Sequence, residues 1–304
     1  MKRGRGLSKA SLKIVAALVE VYREIHPASV RAGCYRTFAL GLIPNMSKSS
    51  TDKVSKLLVQ ARENGTIPWE WIVDETREVE RVSSWDNPDE IIDAAVRGYR
   101  KDYWKEQPTR IEVWSEKGTI RGCLKPVLDE FGVPFRVMHG YGSATAIKNA
   151  ADDSNDSTKP LFAFYVGDWD PSGLHMSEVD LPGRIARYGG SVNLERIALT
   201  AEDVAPGTRI PSFDAATKTG DPRHQWFRSN YGARCWELDA MNPVELRERV
   251  REAIVGMLDI DRWNQAMAVE RQERESMADF MATWQGLFQG KPSNTHDDAT
   301  GNNE

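Results

Sequence analysis

Cysteine is scarce in this 304-residue chain, and its three copies, Cys34, Cys123 and Cys235, are too far apart for any pair to have zinc-ligand spacing. That rules out a zinc ribbon, and an odd count of three makes a disulfide framework implausible. No apolar run reaches the length that a bilayer requires. The opening MKRGRGLSKAS is basic, but neither an apolar core nor a small-residue cleavage site follows it, so the expected location is the cytosol. There is no Walker A string and no Gly-rich phosphate loop leading into a helix, so no ATPase is expected within this sequence. Internal repeats are lacking too. What remains is a chain with 40% hydrophobic and 28% charged residues, long enough for the cores of two domains.

A net charge of −5 argues against a uniformly basic DNA binder, but the charge is unevenly spread. Residues 1–62 hold twelve Lys or Arg against Glu20, Glu24 and Asp52, a balance of +9 that leaves −14 for the rest. A basic head on an acidic body suits a DNA-binding module joined to a carboxylate-rich site; a solvated charged head gives the same asymmetry. Within the head, Leu12, Val15, Leu18, Val19, Tyr22 and Ile25 recur at helical spacing behind Ser8, and Pro27 ends the pattern. A second helix is expected from Ser29 through Leu40, closed by Gly41, and a third after Ser49–Ser50–Thr51, with Val54, Leu57, Leu58 and Ala61 on one face. Three short helices followed by TIPWEWIVD resemble a winged helix-turn-helix. Its third helix would enter the major groove and bring Lys48, Lys53, Lys56 and Arg62 to duplex phosphates. A small helical domain with a wet face is the alternative.

Residues 88–104 read as a linking helix, opened by Asn87–Pro88. From Arg110 the rhythm changes. Strand-like IEVWSE, PFRVMH and LFAFYVGDWD alternate with helical stretches at 120–131, 144–151 and 176–188, and a further strand fits 192–200. Near-continuous apolar strands between helices mean a parallel sheet covered on both faces, with its chemistry at the carboxyl ends of the strands. The stretch 203–235 is too rich in Pro, Gly and polar residues to assign. Helices are expected again at 243–257 and 262–288, before a polar tail.

Glu116 and Asp168 both fall at strand ends, and Asp170 follows in the string VGDWDPSG. On a strand the period of two would aim Asp168 and Asp170 at one face, where two carboxylates repel unless a cation lies between them. Mg2+ takes oxygen ligands and keeps waters that phosphate oxygens can replace, and Mn2+ is a possible substitute. Glu116 would complete the set or act as general acid, with Lys117 lowering its pKa or touching phosphate. An Asp-rich turn capping the next helix is the competing reading of the same string.

A Glu-Lys at one strand end, about fifty residues before Asp-x-Asp-Pro-x-Gly at another, resembles the Toprim domain of topoisomerases, bacterial primases and some nucleases. The motif is met by Glu116, Lys117, Asp168, Asp170, Pro171 and Gly173. The order is similar to the A subunit of DNA topoisomerase VI and the meiotic double-strand-break transesterase, which place a winged helix before Toprim. Their Arg and nucleophilic Tyr, four positions apart, are met by Arg31 and Tyr35; Cys34 stands where a first Tyr is expected. Their Gly-rich turn is approximated by Gly140-Tyr141-Gly142, with Thr145 shortly after.

The resemblance implies an α/β organisation. It has a winged-helix domain over 1–85, a linking helix over 86–108, a Rossmann-like Toprim domain over 109–202, a C-terminal extension with helices over 203–288 and a disordered tail over 289–304. It implies Mg2+-dependent DNA strand cleavage by a transesterase at the nucleoid. Tyr35 would be the nucleophile, Arg31 its phosphate or phenolate partner, and Glu116, Asp168 and Asp170 the metal ligands. Two protomers would face each other in a homodimer, and any ATPase would be a separate subunit. A Toprim hydrolase without a covalent intermediate, or a non-catalytic DNA-binding protein, remain alternatives.

Overall fold

A computed structural model describes residues 7–73, 84–138 and 144–288, with side chains to residue 284. These residues fall into two compact units, one drawn from Met1–Arg77 with Pro108–Leu258, the other from Glu78–Gln107 with Asp259–Glu304. The stretch expected to link two domains therefore helps to build the second unit.

The first unit begins with helix α1 (Lys9–Ile25), capped by Ser8, then the two-residue strand β1 (Ala28–Ser29) and helix α2 (Val30–Ala39), capped by Ser29. Helix α3 (Lys48–Glu63) follows, and strand β2 (Ile72–Val73) pairs parallel with β1. Gly41 and Gly65, at φ +67° and +75°, take the left-handed conformation just past the ends of α2 and α3, where a side chain would be strained. The apolar positions that predict the helices meet in one core: Ile14, Leu18, Tyr22, Val54, Leu58 and Ala61 are all buried. The three helices fall where they are expected, while the strand at Ala28–Ser29 was not expected. Residues 74–83, where a wing would continue, lie outside the described residues.

Helix α4 (Pro88–Gly98) belongs to the second unit. It is shorter than the expected 88–104, because Gly98 ends it and Tyr103–Glu106 forms a separate 3-10 turn capped by Asp102.

The sheet of the first unit holds β3 (Arg110–Ser115), β4 (Phe135–Val137), β5 (Leu161–Val166) and β6 (Val192–Ala198), all parallel, in the order β4-β3-β5-β6. The crossovers are α5 (Thr119–Phe131), α6 (Ala144–Asn155), and α7 (Pro171–His175) joined to α8 (Leu181–Arg187) by a π turn. Residues Ala163 to Val166 are all buried, which is why this strand reads as an unbroken apolar run. The chain leaves β3 toward one edge and β5 toward the other, so a topological switch point lies between their carboxyl ends.

The stretch that composition left unassigned has structure. Strand β7 (Ser212–Asp214) and β8 (Arg234–Trp236) pair antiparallel around helix α9 (His224–Tyr231), and Trp236 bridges to Trp169. Helix α10 (Pro243–Val255) closes the unit. Its Arg247 donates to the carbonyls of Ile25 and Pro27 and to that of Cys123, at 3.1–3.2 Å, tying the helical head to α5. Helix α11 (Ile260–Phe288) lies in the second unit. Among the described residues no helix is long and apolar enough to cross a membrane.

Candidate active site at the switch point

Glu116 and Lys117 follow directly on β3, and Asp168 lies two residues past β5. The strand-period argument for the two aspartates does not hold, because β5 ends at Val166. Asp170 is instead the N-cap of α7, its Oδ1 accepting the Gly173 amide at 2.8 Å. The capping reading of the DPSG string is thus correct for Asp170, and it does not remove the residue from the site. Asp168 and Asp170 are only 6% and 3% exposed. Gly173 is required by close approach: a Cβ there would sit 2.4 Å from the Asp168 carbonyl oxygen. Beneath this loop Arg196 of β6 donates to the carbonyls of Gly167 (3.0 Å) and Gly173 (2.7 Å) and to the Ser177 hydroxyl (3.0 Å).

The acids are compensated by lysines. Lys117 Nζ bridges Asp168 Oδ1 at 2.8 Å and Asp239 Oδ2 at 3.1 Å, and Asp168 Oδ1 also accepts the Leu238 amide at 2.8 Å. Lys218 Nζ lies 3.2 Å from Asp170 Oδ2. Burial raises the Asp168 carboxyl above its usual range while Lys117 opposes it. Glu116 is pushed up to about 7 by burial, then by the charges of Asp168 and Asp170. Burial works against the charge on Lys117, but Asp168 and Asp239 outweigh it and hold the ammonium above its ordinary value.

Helix α2 brings Arg31 and Tyr35 to the same region. The Arg31 guanidinium donates two hydrogen bonds to the Glu237 carboxylate and lies 5.8 Å from the Tyr35 ring centroid. Tyr35 is 5% exposed. Its phenol is raised by burial and by Glu237, with Arg31 opposing, so the expected push toward phenolate is outweighed in this arrangement. Two cavities meet here. One of about 420 Å3 is lined by Arg31, Lys117, Asp168, Glu237 and Asp239. The other, about 470 Å3, is lined by Arg31, Tyr35, Phe38, Phe213, Lys218 and Glu237.

The basic residues of α3 divide. Lys48, Lys53 and Lys56 are exposed, and the last two line a separate cleft with Asp52 and Gln60. Arg62 is half-buried. Its guanidinium lies 4.3 Å from the Trp69 ring centroid and donates to the Trp69 carbonyl at 3.2 Å, so it serves the fold. The turn Gly140-Tyr141-Gly142 lies outside the described residues, and Thr145 is in the first turn of α6.

The residues not foreseen are Ser29, Arg196, Lys218, Glu237 and Asp239. Glu237-Leu238-Asp239 carried a signal, an acidic pair just past the short strand-like RCW; Lys218 carried none. The donor set of Glu116, Asp168 and Asp170 suits a hard divalent cation in chemistry, being all carboxylate oxygen with both aspartates buried. In spacing it is not a ready-made cage: among the described residues no group of three or more His, Cys, Asp or Glu is placed to hold a metal ion, and ammonium groups neutralise two of the three acids. Comparison with protein families, curated proteins and solved structures gave no match to this chain.

Proposed function

We propose that this protein cleaves the phosphodiester backbone of DNA by transesterification, with Tyr35 as nucleophile. The observation that most supports this is the wall formed by Arg31 and Glu237, which is common to the Tyr35 cavity and the carboxylate cavity of one chain. A phosphate held by Arg31 in bidentate fashion would have a phenol on one side and, on the other, the cavity lined by Asp168 and Asp239.

The exposed lysines of α3 fit duplex phosphates and would bring the DNA to the site. Glu116, Asp168 and Asp170 would hold Mg2+ or Mn2+, which supplies charge neutralisation at the phosphate. Lys117 and Lys218 pair with Asp168 and Asp170 and offset their charges. Arg31 orients the phosphate, Tyr35 attacks, and the strand end becomes a phosphotyrosine ester that can be resealed. Any ATP-driven step belongs to a separate subunit.

A hydrolase is the second reading, favoured by the burial of Tyr35 and its raised phenol. Incubation of the full chain with supercoiled DNA and Mg2+, quenched with detergent, separates the two. The transesterase leaves protein covalently on the DNA ends and loses cleavage in Tyr35→Phe. Free ends in wild type, with cleavage kept in Tyr35→Phe, would establish hydrolysis.

A further inference from the structure

A phenol that attacks phosphorus must lose its proton, and at neutral pH that requires a nearby acceptor. The Tyr35 reading leaves this acceptor unnamed. Three charged groups line the cavity with Tyr35: Arg31 from its own helix, Glu237 from the segment after β8, and Lys218. Two of the three are cations and cannot accept. Glu237 is the carboxylate, and its side chain is 14% exposed, so its partners inside the cavity are not diluted by water.

Both oxygens of Glu237 are occupied by the two hydrogen bonds from Arg31. The same guanidinium fork matches a phosphate as well as it matches a carboxylate. A phosphodiester reaching Arg31 therefore competes with Glu237 for one set of donors, and success of the phosphate leaves the carboxylate beside the phenol with its oxygens released.

Building on the transesterase reading, we infer that Glu237 is the catalytic base of Tyr35, held on Arg31 until a DNA phosphate displaces it. The balance is complete. The Tyr35 Oη–phosphorus bond forms, the bond from phosphorus to the leaving deoxyribose oxygen breaks, the phenol proton passes to Glu237, the leaving oxygen takes a proton from water, and the hydroxide so formed takes the proton from Glu237 to restore water and carboxylate. The exchange also keeps the phenol inert without DNA, when a charged nucleophile would have no productive target.

The test is Glu237→Gln in the full chain, with Tyr35→Phe and Glu237→Asp alongside. Cleavage of supercoiled plasmid and covalent adduct are followed across neutral to alkaline pH, and salt-dependent DNA binding is measured separately. Loss of the base should slow adduct formation about 100-fold or more at neutral pH. DNA binding should be retained, the residual rate should climb with pH, and Glu237→Asp should recover part of it. Ultraviolet titration of phenolate absorbance gives a readout without catalysis: the tyrosine signal missing from Tyr35→Phe should ionise at lower pH in Glu237→Gln than in wild type. Adduct formation by Glu237→Gln at the wild-type rate or faster overturns the assignment while leaving Tyr35 as nucleophile. Free DNA ends together with an active Tyr35→Phe overturn the transesterase reading, and this inference with it.

Discussion

Ser29 and Asp239, 210 residues apart in sequence, are joined by a buried hydrogen bond of 2.6 Å from the hydroxyl to Oδ1. The same hydroxyl accepts the Ala32 amide as the N-cap of α2, and the other oxygen of Asp239 takes Lys117, which takes Asp168. The helix that carries Arg31 and Tyr35 is thus held to Lys117 past β3 and Asp168 past β5 by an unbroken polar chain.

This relay sets the expected cost of Ser29→Ala. Loss of the cap costs about 1 kcal/mol, and a buried carboxylate short of a donor about 1–3 kcal/mol more. Ser8→Ala removes only an exposed cap of α1, so it should cost about 1 kcal/mol or less. Denaturant midpoints of the two variants give the comparison. Equal losses would mean that the Asp239 contact adds nothing.

Glu116 should make stability depend on pH. Its carboxyl is raised from 4.5 to about 7 in the folded chain, so folding favours the protonated form. The contribution is complete below 4.5 and is lost as pH rises through 7. Glu116→Gln should match wild type at pH about 4 and exceed it at pH about 8, by up to about 3 kcal/mol. Mg2+ should narrow the gap at the higher pH if Glu116 is a ligand. Thermal unfolding at both pH values, with and without Mg2+, tests both points. A gap that does not grow with pH would show that folding does not raise the Glu116 carboxyl.

The basic face of α3 should respond residue by residue. Neutralising Lys48, Lys53 or Lys56 should lower the salt dependence of DNA binding by about one unit of log–log slope each, without loss of stability. Arg62→Ala should behave differently and lower stability by about 1 kcal/mol, because it removes the stack on Trp69. Binding isotherms at several salt concentrations, read beside melting curves, separate the two classes. A folded triple variant that keeps the wild-type slope would move the DNA surface elsewhere.

Mixing Tyr35→Phe with Asp168→Ala asks whether one chain serves itself. Lys218 lines the Tyr35 cavity and pairs with Asp170 of the same chain, which favours action in cis. Each variant alone should fail to cut, and the mixture should fail as well. Recovery of cutting in the mixture, accompanied by dimer mass in light scattering, would instead place the phenol of one protomer against the carboxylates of another.

The sequence by itself determined what depends on neighbours a few residues away. Apolar runs bounded by helical periods gave the sheet strands, Ser8 and Ser29 gave the helix starts, and the strand-end positions of Glu116 and Asp168 followed from the parallel alternation. Asp170 as a cap and Gly173 as a close approach are equally local. Only the tertiary structure decided what those residues meet. Arg31 stands one helical turn before Tyr35 and on local grounds should ease its ionisation. Glu237, brought in just past the β7–β8 pair, captures the guanidinium, and burial together with Glu237 leaves the phenol raised. Lys218 and Asp239 enter by the same route to neutralise or extend the acids. Burial removes the water that would otherwise screen these charges, so the outcome is set by partners far along the chain, and no local reading of the sequence contains it.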